Sequence, residues 1–189
     1  MSHFSKINAK ISDEEALSAA TTKMGLSLIP DGMCRYYYGT EKADMVVKLP
    51  GEYDVALTKE GDSYSLKADL YKGQVEKYVG PNAGLLMQRY SAEKARIEAF
   101  KKSLAITEVN DGDDIVLTLT DSETGGQIKV VCHIGGEIDV KTSGFPGQSC
   151  MKFQDLESAL GANLEFTPTM EMYEAEKSME SEHINNMYY

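Results

Sequence analysis

The sequence lacks tryptophan, and it has no apolar run close to the roughly 18 residues that a bilayer-spanning helix needs. Its first residues also lack the basic and apolar regions of a secretory signal. We therefore expect a cytoplasmic protein with no membrane segment. Cysteine is scarce as well: Cys34, Cys132 and Cys150 are widely spaced and odd in number, which favours reduced thiols over a disulfide framework.

Positive charge is also scarce, with 19 basic residues against 30 acidic ones and a net charge of −11. Residues 1–120 hold 15 basic and 18 acidic side chains, whereas residues 121–189 hold 4 and 12. Because nucleic acids are bound mainly by basic residues that neutralise phosphates, this balance argues against direct DNA or RNA binding. An acidic surface can instead bind a basic patch on a protein, imitate nucleic acid, or simply be solvated.

No catalytic motif of high specificity occurs in the sequence. The three histidines, His3, His133 and His183, form no His-x-x-x-His pair, and the cysteines form no Cys-x-x-Cys pair. We therefore expect neither a metal site nor a cofactor.

The most distinctive local pattern is a glycine-rich segment before the last predicted helix, with Gly144, Gly147, Ser149 and Cys150. Amide groups at a helix N-terminus can bind an anion, and their field lowers the pKa of a thiol placed there. Cys150 is thus a candidate nucleophile, redox thiol or ligand. The alternative is structural: Ser149 caps the helix, and Cys150 packs as a small side chain.

Residues 43–70 read as three strands with two turns, at Pro50-Gly51 and Glu60-Gly61-Asp62. Apolar residues fall at every second position, which predicts one buried sheet face: Met45, Val47, Leu49, Tyr53, Val55, Leu57, Tyr64, Leu66, Ala68 and Leu70. The residues between them predict a solvent-exposed face: Asp44, Lys48, Asp54, Thr58, Ser65, Lys67 and Asp69. The stretch therefore predicts an antiparallel meander with one wet face.

Two helices are predicted to back this sheet. The first is expected to begin at Ser12, with Glu15 completing a capping box, and to end at Gly25. The second is expected from about Leu85 to Ser103. Its predicted apolar stripe is Leu86, Tyr90, Ile97, Phe100 and Leu104.

A polar run with two glycines, residues 121–126, predicts a linker. Residues 1–120 are then an antiparallel α+β domain, residues 127–168 a small β-hairpin-plus-helix domain, and residues 169–189 an acidic tail rich in Met and Tyr. The predicted fold class is α+β, an antiparallel meander sheet backed by two helices and followed by the small domain. That small domain has little core, so we expect it to dock on the first domain, on a partner or on a second copy, which leaves a homo-oligomer open.

Tyrosine residues are candidates for partner binding. Tyr36, Tyr37 and Tyr38 are consecutive, and neighbours on a strand point to opposite faces, so either Tyr37 or the pair Tyr36 and Tyr38 should be exposed. An exposed ring could stack on a ligand or partner, or be an ordinary solvent-facing strand residue. Tyr173 lies in the acidic tail, whose composition suits either a segment that becomes ordered on a surface or a frayed end.

Two parts of the chain resemble uncharacterised families. Met1-Ser-His-Phe4 before a capped helix, residues 43–54 and residues 63–70 resemble the cyanobacterial and plastid family called hypothetical chloroplast reading frame thirty-five, or domain of unknown function twelve-fifty-seven. That likeness covers about residues 1–120. The glycine-turn hairpin, the Gly144–Cys150 segment and Ala159-Leu160-Gly161 resemble the small family domain of unknown function twenty-nine ninety-seven. The chain is thus similar to a fusion of the two.

The resemblance implies that both parts share one task, because fused partners generally work together. It also implies a partner, since proteins of the two families are usually encoded separately near a AAA+ ATPase of the MoxR or plastid type. It supplies no catalytic residues. We therefore expect a non-catalytic binding or adaptor protein that engages such an ATPase, or its substrate, through the second domain and the tail.

Two alternatives stay open at this point. One is an acidic inhibitor or nucleic-acid mimic, encoded by a phage and acting on a host protein. The other is a thiol-dependent enzyme that uses Cys150. The fusion and the long acidic tail depart from the plastid pattern, so we expect a bacterial or phage-infected host cytoplasm rather than the plastid stroma.

Overall fold

The computed structural model describes residues 4–144 together with Leu156 and Leu160; for residues 4–9 it describes the backbone only. Residues 4–144 contain three α-helices: α1 (Glu14–Lys23), α2 (Glu76–Val79) and α3 (Gly84–Lys101). The strands are β1 (Phe4–Ile11), β2 (Ser27–Pro30), β3 (Met33–Tyr36), β4 (Gly39–Lys42), β5 (Met45–Lys48), β6 (Val55–Glu60), β7 (Ser63–Asp69), β8 (Ala105–Asp111), β9 (Asp114–Thr120), β10 (Gln127–Cys132) and β11 (Ile138–Ser143). Short 3₁₀ turns cover Tyr71–Gly73 and Pro81–Ala83.

The first sheet has five strands in the order β1-β7-β6-β5-β2, all paired antiparallel. Strands β5, β6 and β7 are the predicted meander, with Leu57 opposite Met45 on one side and Leu66 on the other. The predicted α+β class with a meander sheet and two backing helices is therefore confirmed.

One face of this sheet forms the first hydrophobic core, as the period-two pattern predicts. Nine of its predicted apolar residues are buried there, and Leu70 packs against them at the margin. Helices α1 and α3 cover this face, α1 through Ala16, Leu17 and Ala20, and α3 through Leu86. The buried face of the meander therefore positions both helices.

The opposite face of the first sheet is only in part the wet face that the sequence predicts: Asp44 and Thr58 are exposed, but part of the face is covered. The β3–β4 hairpin lies over it and forms a small second layer in which Val46 and Ala56 are buried beside Cys34. Asp54 and Asp69, predicted to face solvent, are both 0% exposed. The alternation of polar and apolar residues gave the correct faces but could not show that a neighbouring hairpin covers the polar one.

The start of α1 is tied to the middle of α3. Asp13 caps α1 by accepting a hydrogen bond from the Ala16 amide at 3.0 Å, one residue later than the predicted Ser12 cap. The amides of Ser12 and Asp13 both donate to the Tyr90 hydroxyl at 3.1 Å. The tyrosine thus serves two backbone donors that precede the helix and fixes the crossing of α1 and α3.

The second sheet has four antiparallel strands in the order β11-β10-β9-β8. Residues 121–126, predicted as a linker between domains, form the turn between β9 and β10, closed by the Asp121 amide donating to the Gly126 carbonyl at 2.9 Å. Strands β9 and β10 pair along their length, from Thr120 opposite Gln127 to Ile115 opposite Cys132. The strands on the two sides of the predicted boundary therefore belong to one sheet.

Helix α3 lies between the two sheets and contributes to both cores. Its first half adds Leu86, Met87 and Tyr90 to the first core. Its second half adds small residues to the second core, where Leu156 and Leu160 are also buried: Ala92, Ala95 and Ala99. Phe100, predicted as part of the apolar stripe, is 82% exposed, because the face turned to the second sheet is lined with alanines instead. Of the helices in the described ranges, none combines the length and apolar character that crossing a membrane requires.

The turn between β10 and β11 packs directly under the start of α3. The Gly135 amide donates to the Gly84 carbonyl at 3.0 Å, and Ser91 Oγ donates to the Gly136 carbonyl at 3.0 Å. Gly136 has a φ of +90°, and a Cβ atom there would lie 2.9 Å from Met87 Cβ. Glycine is required at this position both by the backbone conformation and by the close approach of the helix.

Gly136→Ala and Gly135→Ala separate these two requirements. Both residues have positive φ, but a Cβ at Gly135 would meet nothing within 4 Å. We expect Gly135→Ala to lower the free energy of unfolding by about 1 kcal/mol through backbone strain alone. Gly136→Ala should cost about 1–3 kcal/mol more, because the helix must shift to accept the methyl group. Urea unfolding of the two variants measures the difference, and equal losses would contradict the packing of this turn against α3.

Candidate functional site

The tip of the β3–β4 hairpin presents two tyrosines to solvent. Strand β3 ends at Tyr36, which pairs with Gly39, so Tyr37 and Tyr38 are the two residues of the turn. Tyr36 is 8% exposed, Tyr37 50% and Tyr38 74%. The two alternatives are each correct in part: Tyr37 and Tyr38 are both exposed, and only Tyr36 is buried, because strand alternation stops where the turn begins.

A third tyrosine joins them from a different part of the chain. The Tyr37 ring lies 4.7 Å from the Tyr38 ring in an edge-to-face arrangement and 5.1 Å from the Tyr71 ring. The Lys72 ammonium group sits 5.1 Å from the centre of the Tyr71 ring. We call Tyr37, Tyr38 and Tyr71 the tyrosine cluster. Tyr71 is not predicted as a site residue from the sequence, where its only signal is its place directly after the meander.

One buried carboxylate holds the two loops of the tyrosine cluster. Asp69 accepts a hydrogen bond from the Tyr37 amide on Oδ2, at 3.1 Å, and from the Tyr71 amide on Oδ1, at 3.0 Å. It is 0% exposed. The chain then enters the left-handed region at Lys72, with a φ of +56°, a conformation that costs a lysine about 1 kcal/mol or more. The cluster is therefore built on a fixed backbone that includes one unfavourable conformation.

A second buried carboxylate, Asp54, holds the β3 strand of the same hairpin. Its Oδ1 accepts from Arg35 Nη2 at 2.7 Å and from the Leu49 amide at 3.1 Å. Its Oδ2 accepts from Arg35 Nε at 2.8 Å, the Arg35 amide at 3.1 Å and Lys48 Nζ at 2.9 Å. This bidentate arginine pair with added backbone donors is the arrangement in which a buried carboxylate is well compensated.

The hydrogen bonds decide the protonation state of Asp54. Burial raises the pKa of this carboxyl, but the hydrogen bonds from Arg35, from Lys48 and from two backbone amides outweigh burial and lower the pKa to about 2. The two cations are held in turn by carbonyl groups, with Arg35 Nη2 2.9 Å from the Leu49 oxygen and Lys48 Nζ 2.6 Å from the Met33 oxygen. A carboxylate engaged by five donors is suited to anchoring the hairpin and not to proton transfer.

The two described thiols are buried and protonated. Burial is the main cause that raises the pKa of Cys34 to about 11 and that of Cys132 to about 12. Neither is a thiolate at neutral pH, and the thiolate is the reactive form. Of the predicted segment before the last helix, only Gly144 lies within the described residues, with a φ of +72°. Gly147, Ser149, Cys150 and Tyr173 lie outside the described residues.

His133 lies between two carboxylates on the second sheet. Its Nδ1 is 2.9 Å from Asp114 at the start of β9, and its Nε2 is 3.0 Å from Asp139 on β11. The hydrogen bonds to Asp139 and then Asp114 raise the pKa of the imidazole above its usual value. Among residues 10–144 with Leu156 and Leu160, no group of three His, Cys, Asp or Glu side chains is arranged to hold a metal ion. The imidazole therefore links three strands across the sheet end.

Acid should unfold the protein partly through Asp54. Its pKa of about 2 in the folded chain lies below the ordinary 3.8, so the unfolded state binds the proton more tightly. The stabilisation is present above pH about 4 and is lost as the pH falls through about 2. Asp54→Asn should lower the free energy of unfolding at pH 7 by about 2–3 kcal/mol, the equivalent of the pKa shift, because Arg35 and Lys48, which are themselves partly exposed, lose their charged partner.

Denaturant unfolding at pH 7 and at about pH 2 measures this effect, with Asp62→Asn in the exposed β6–β7 turn as the control. The destabilisation by Asp54→Asn should shrink at the lower pH, whereas the control should stay near wild type at both. A destabilisation of the same size at both pH values would contradict the charged anchor.

His133 should make the protein less stable as the pH rises, the opposite of the effect expected for Asp54. Because the folded pKa is raised, its stabilisation is complete below about pH 6.5, the unperturbed value, and is lost as the pH rises through the folded pKa. His133→Gln should be less stable than wild type at about pH 6, and the two should converge by about pH 9. Asp139→Asn should show the same trend in thermal unfolding. A constant difference across this range would contradict the link.

The comparisons with known proteins give a family but no function. Residues 20–120, more than half of the chain, match the family described as Protein of unknown function (DUF1257). Neither a curated protein nor a solved structure matches the chain. The matched range extends from α1 to the end of β9, and it contains α3, both anchoring aspartates and the tyrosine cluster. The chain therefore belongs to this family of proteins of unknown function, which confirms the first of the two predicted resemblances.

Proposed function

We propose that the protein is a non-catalytic binding protein that acts as an adaptor, with the tyrosine cluster as one of its partner-binding surfaces. The observation that carries this proposal is that the backbone amides of Tyr37 and Tyr71 both donate to one buried carboxylate, that of Asp69. Tyrosine supplies a large contact area at low entropic cost, and it is enriched at the energetic centres of interfaces. A surface fixed before binding loses less entropy when a partner docks.

The turn chemistry supports the same proposal. Two-residue hairpin turns favour glycine, asparagine or aspartate, because those residues tolerate the required backbone conformations. Here Tyr37 and Tyr38 occupy the turn, and the glycine, Gly39, follows them with a φ of +133°. Both tyrosines are exposed, and neither belongs to a hydrophobic core of the described residues. A local rule broken without structural gain is typical of a functional surface.

The state of the described titratable groups favours binding over catalysis. Asp54 is saturated with donors, the thiols of Cys34 and Cys132 are buried and protonated, and His133 is engaged on both ring nitrogens. A general acid or base needs an accessible group with a pKa near the working pH. The thiol-enzyme alternative depends on Cys150, outside the described residues.

The class of partner comes from the resemblance. We propose a AAA+ ATPase of the MoxR or plastid type, or its substrate, and we propose that residues 127–168 correspond to the second family, domain of unknown function twenty-nine ninety-seven. The Gly144–Cys150 segment and the acidic tail with Tyr173 would then supply a second contact surface, apart from the tyrosine cluster. An adaptor needs two such surfaces.

The charge asymmetry favours a second candidate, an acidic inhibitor or nucleic-acid mimic. Residues 121–189 carry 12 acidic and 4 basic side chains, which suits a basic cleft on a partner. The two candidates differ in one respect: added DNA would displace a mimic from its partner but would leave an adaptor bound.

Replacing the two turn tyrosines with alanine tests the adaptor proposal. The full chain and the Tyr37→Ala/Tyr38→Ala variant are used to capture proteins from host lysate, with and without ATP, and binding of the purified MoxR-type ATPase is then measured. The variant should bind about thirtyfold more weakly, as expected when residues worth about 2 kcal/mol are lost from an interface. Both rings are exposed, so thermal unfolding should change little.

Phe100→Ala is the matched control, because it removes an aromatic ring that is 82% exposed at the end of α3. It should leave the affinity unchanged. Equal losses in both variants would mean that exposed aromatic residues bind nonspecifically, and no loss in either would remove the tyrosine cluster from the interface. Release of the partner by DNA would favour the mimic.

A further inference from the structure

Strand β8 is an open edge of the second sheet. It pairs with β9 along its whole length, and no other strand in residues 4–144 pairs with it. Six of its seven residues are exposed, including Val109 at 59%. An open strand edge offers backbone donors and acceptors to a further strand, and proteins usually protect such edges.

The other edge strands of residues 4–144 carry features that discourage pairing. Strand β2 is four residues long and ends in Pro30, β11 has Lys141 in its middle, and the pairing of β1 is irregular between Ile7 and Ile11. The strands of the β3–β4 hairpin have four residues each. Strand β8 is seven residues long, is paired without interruption and contains neither proline nor lysine. It is therefore the described edge best suited to accept a further strand.

The hydrogen-bond pattern of the β8–β9 hairpin determines which backbone groups of β8 face the open edge. Asp111 and Asp114 pair across a two-residue turn. The pair that closes such a turn exchanges both of its hydrogen bonds, and bonded and non-bonded pairs then alternate along the ladder. The N–H and C=O groups of Ile106, Glu108 and Asn110 therefore point away from β9.

Glu108 is the one charged side chain between the ends of β8, and it is already paired. It is turned toward α3, where it lies 3.2 Å from Arg89 and also forms an ion pair with Arg96. The alternate residues point to the outer face of the sheet and are uncharged until the strand ends: Ala105, Thr107 and Val109. The middle of the edge therefore presents no unpaired charge to an approaching strand.

The two ends of β8 carry opposite charges. Lys101 and Lys102 precede the strand, whereas Asp111 ends it and Asp113 follows. Lys101 is held by Glu98 at 2.7 Å, which leaves Lys102 as the cation at this end. Two antiparallel copies of the strand bring the basic start of each copy to the acidic end of the other, and the two-fold symmetry repeats this contact. Parallel copies would place like charges together.

We propose that β8 pairs antiparallel with β8 of a second copy, with Thr107 on the two-fold axis, so that the two four-stranded sheets become one sheet. In this register Ile106 of each copy exchanges backbone hydrogen bonds with Glu108 of the other, and Ala105 lies opposite Val109. Threonine opposite threonine, with an apolar pair on either side, is a favourable cross-strand arrangement. A register centred on Glu108 would instead set two carboxylates directly opposite each other, which is unfavourable. This inference goes beyond the proposed function and does not depend on the tyrosine cluster.

Cysteine cross-linking of the full chain in a Cys150→Ser background tests the pairing. Cys34 and Cys132 are buried, so an introduced cysteine is the accessible one. Thr107→Cys should form a disulfide-linked dimer in a glutathione redox buffer, because the Cα atoms of a non-hydrogen-bonded pair lie about 4.5 Å apart, within the reach of a disulfide. Ser143→Cys, at an exposed position on the opposite edge strand β11, is the matched control. The yield of dimer should be about tenfold higher for Thr107→Cys, because its thiols meet in a formed complex.

Mixtures of cysteine variants test the register. Ala105→Cys and Val109→Cys should each give little dimer alone but should cross-link when mixed, because the two positions face each other across the proposed seam. A product in which Thr107→Cys is joined to Val109→Cys, with neither joined to itself, would indicate the register centred on Glu108 and overturn the proposal. Equal yields of dimer from Thr107→Cys and Ser143→Cys would overturn the pairing itself.

Sedimentation of the full chain measures the association without a cross-link. The average mass should rise from that of one chain towards that of two at concentrations above about 1 µM, the weak end of the range for interfaces of standard size. Thr107→Lys should weaken the association about fivefold, because the two-fold axis sets two lysines directly opposite each other, whereas Ser143→Lys should leave it unchanged.

A wild-type chain that stays monomeric at about 1 mM, or equal losses in the two lysine variants, would overturn the proposal. The Tyr37→Ala/Tyr38→Ala variant should associate like the wild type. The outcome is therefore separate from that of the adaptor proposal, which the same variant tests through binding of the ATPase.

Discussion

The burial of α3 on two sides is the constraint on which the rest of the structure depends. Most helices in small domains bury one apolar face in a core and expose the opposite face to water. Helix α3 instead packs against two sheets, one on each side. It does so with large side chains at Leu86 and Tyr90 on one side, and with Ala95 and Ala99 on the other. The alanines let the second sheet approach closely, at the cost of less apolar area per residue. Leu156 and Leu160 add to that same core.

Polar groups that this arrangement buries are paired with backbone atoms of the second sheet or with ions. Gln88 donates from Nε2 to the carbonyls of Asp113 and Cys132, at 2.6 and 2.9 Å. Glu93, 4% exposed, lies 2.8 Å from Lys23 at the end of α1 and 3.3 Å from Arg96. An unpaired amide or carboxylate there would cost several kcal/mol, so these partners fix the position of the helix between the sheets as well as stabilising it. The α3 position is thus specified by polar as well as apolar contacts.

The sequence predicts the fold where an alternating pattern identifies the buried face of a sheet. It does not predict that a second layer of structure covers the polar face. The meander was predictable because its apolar residues alternate without a break. The burial of Asp54 and Asp69 was not, since a polar residue at a period-two position predicts solvent. What covers them is a hairpin placed by Arg35, and a salt bridge between residues 35 and 54 leaves no local signal in a single sequence.

The candidate site, too, could be predicted from the sequence only in part. The exposure of Tyr37 could be predicted from neighbouring tyrosines, but the cluster needed Tyr71, brought in through Asp69 from beyond the meander. The predicted apolar stripe on α3 is wrong at Phe100, because the alanines that line the buried face carry almost no periodic hydrophobic signal. Small residues mark a close approach only when the neighbouring element is known.

The family match ends in the middle of the second sheet, so residues beyond 120 are needed to complete that sheet. The match ends with β9, yet Leu117 and Leu119 of β9 are buried against Val130 and Ile128 of β10. Strands β8 and β9 alone form a two-stranded hairpin, and an isolated hairpin is only marginally stable in water. The alanine face of α3 would then meet a sheet too narrow to cover it. The residues that follow the match therefore complete a core that the matched part begins, and the joining surface is a continuous β-ladder rather than a flexible connection.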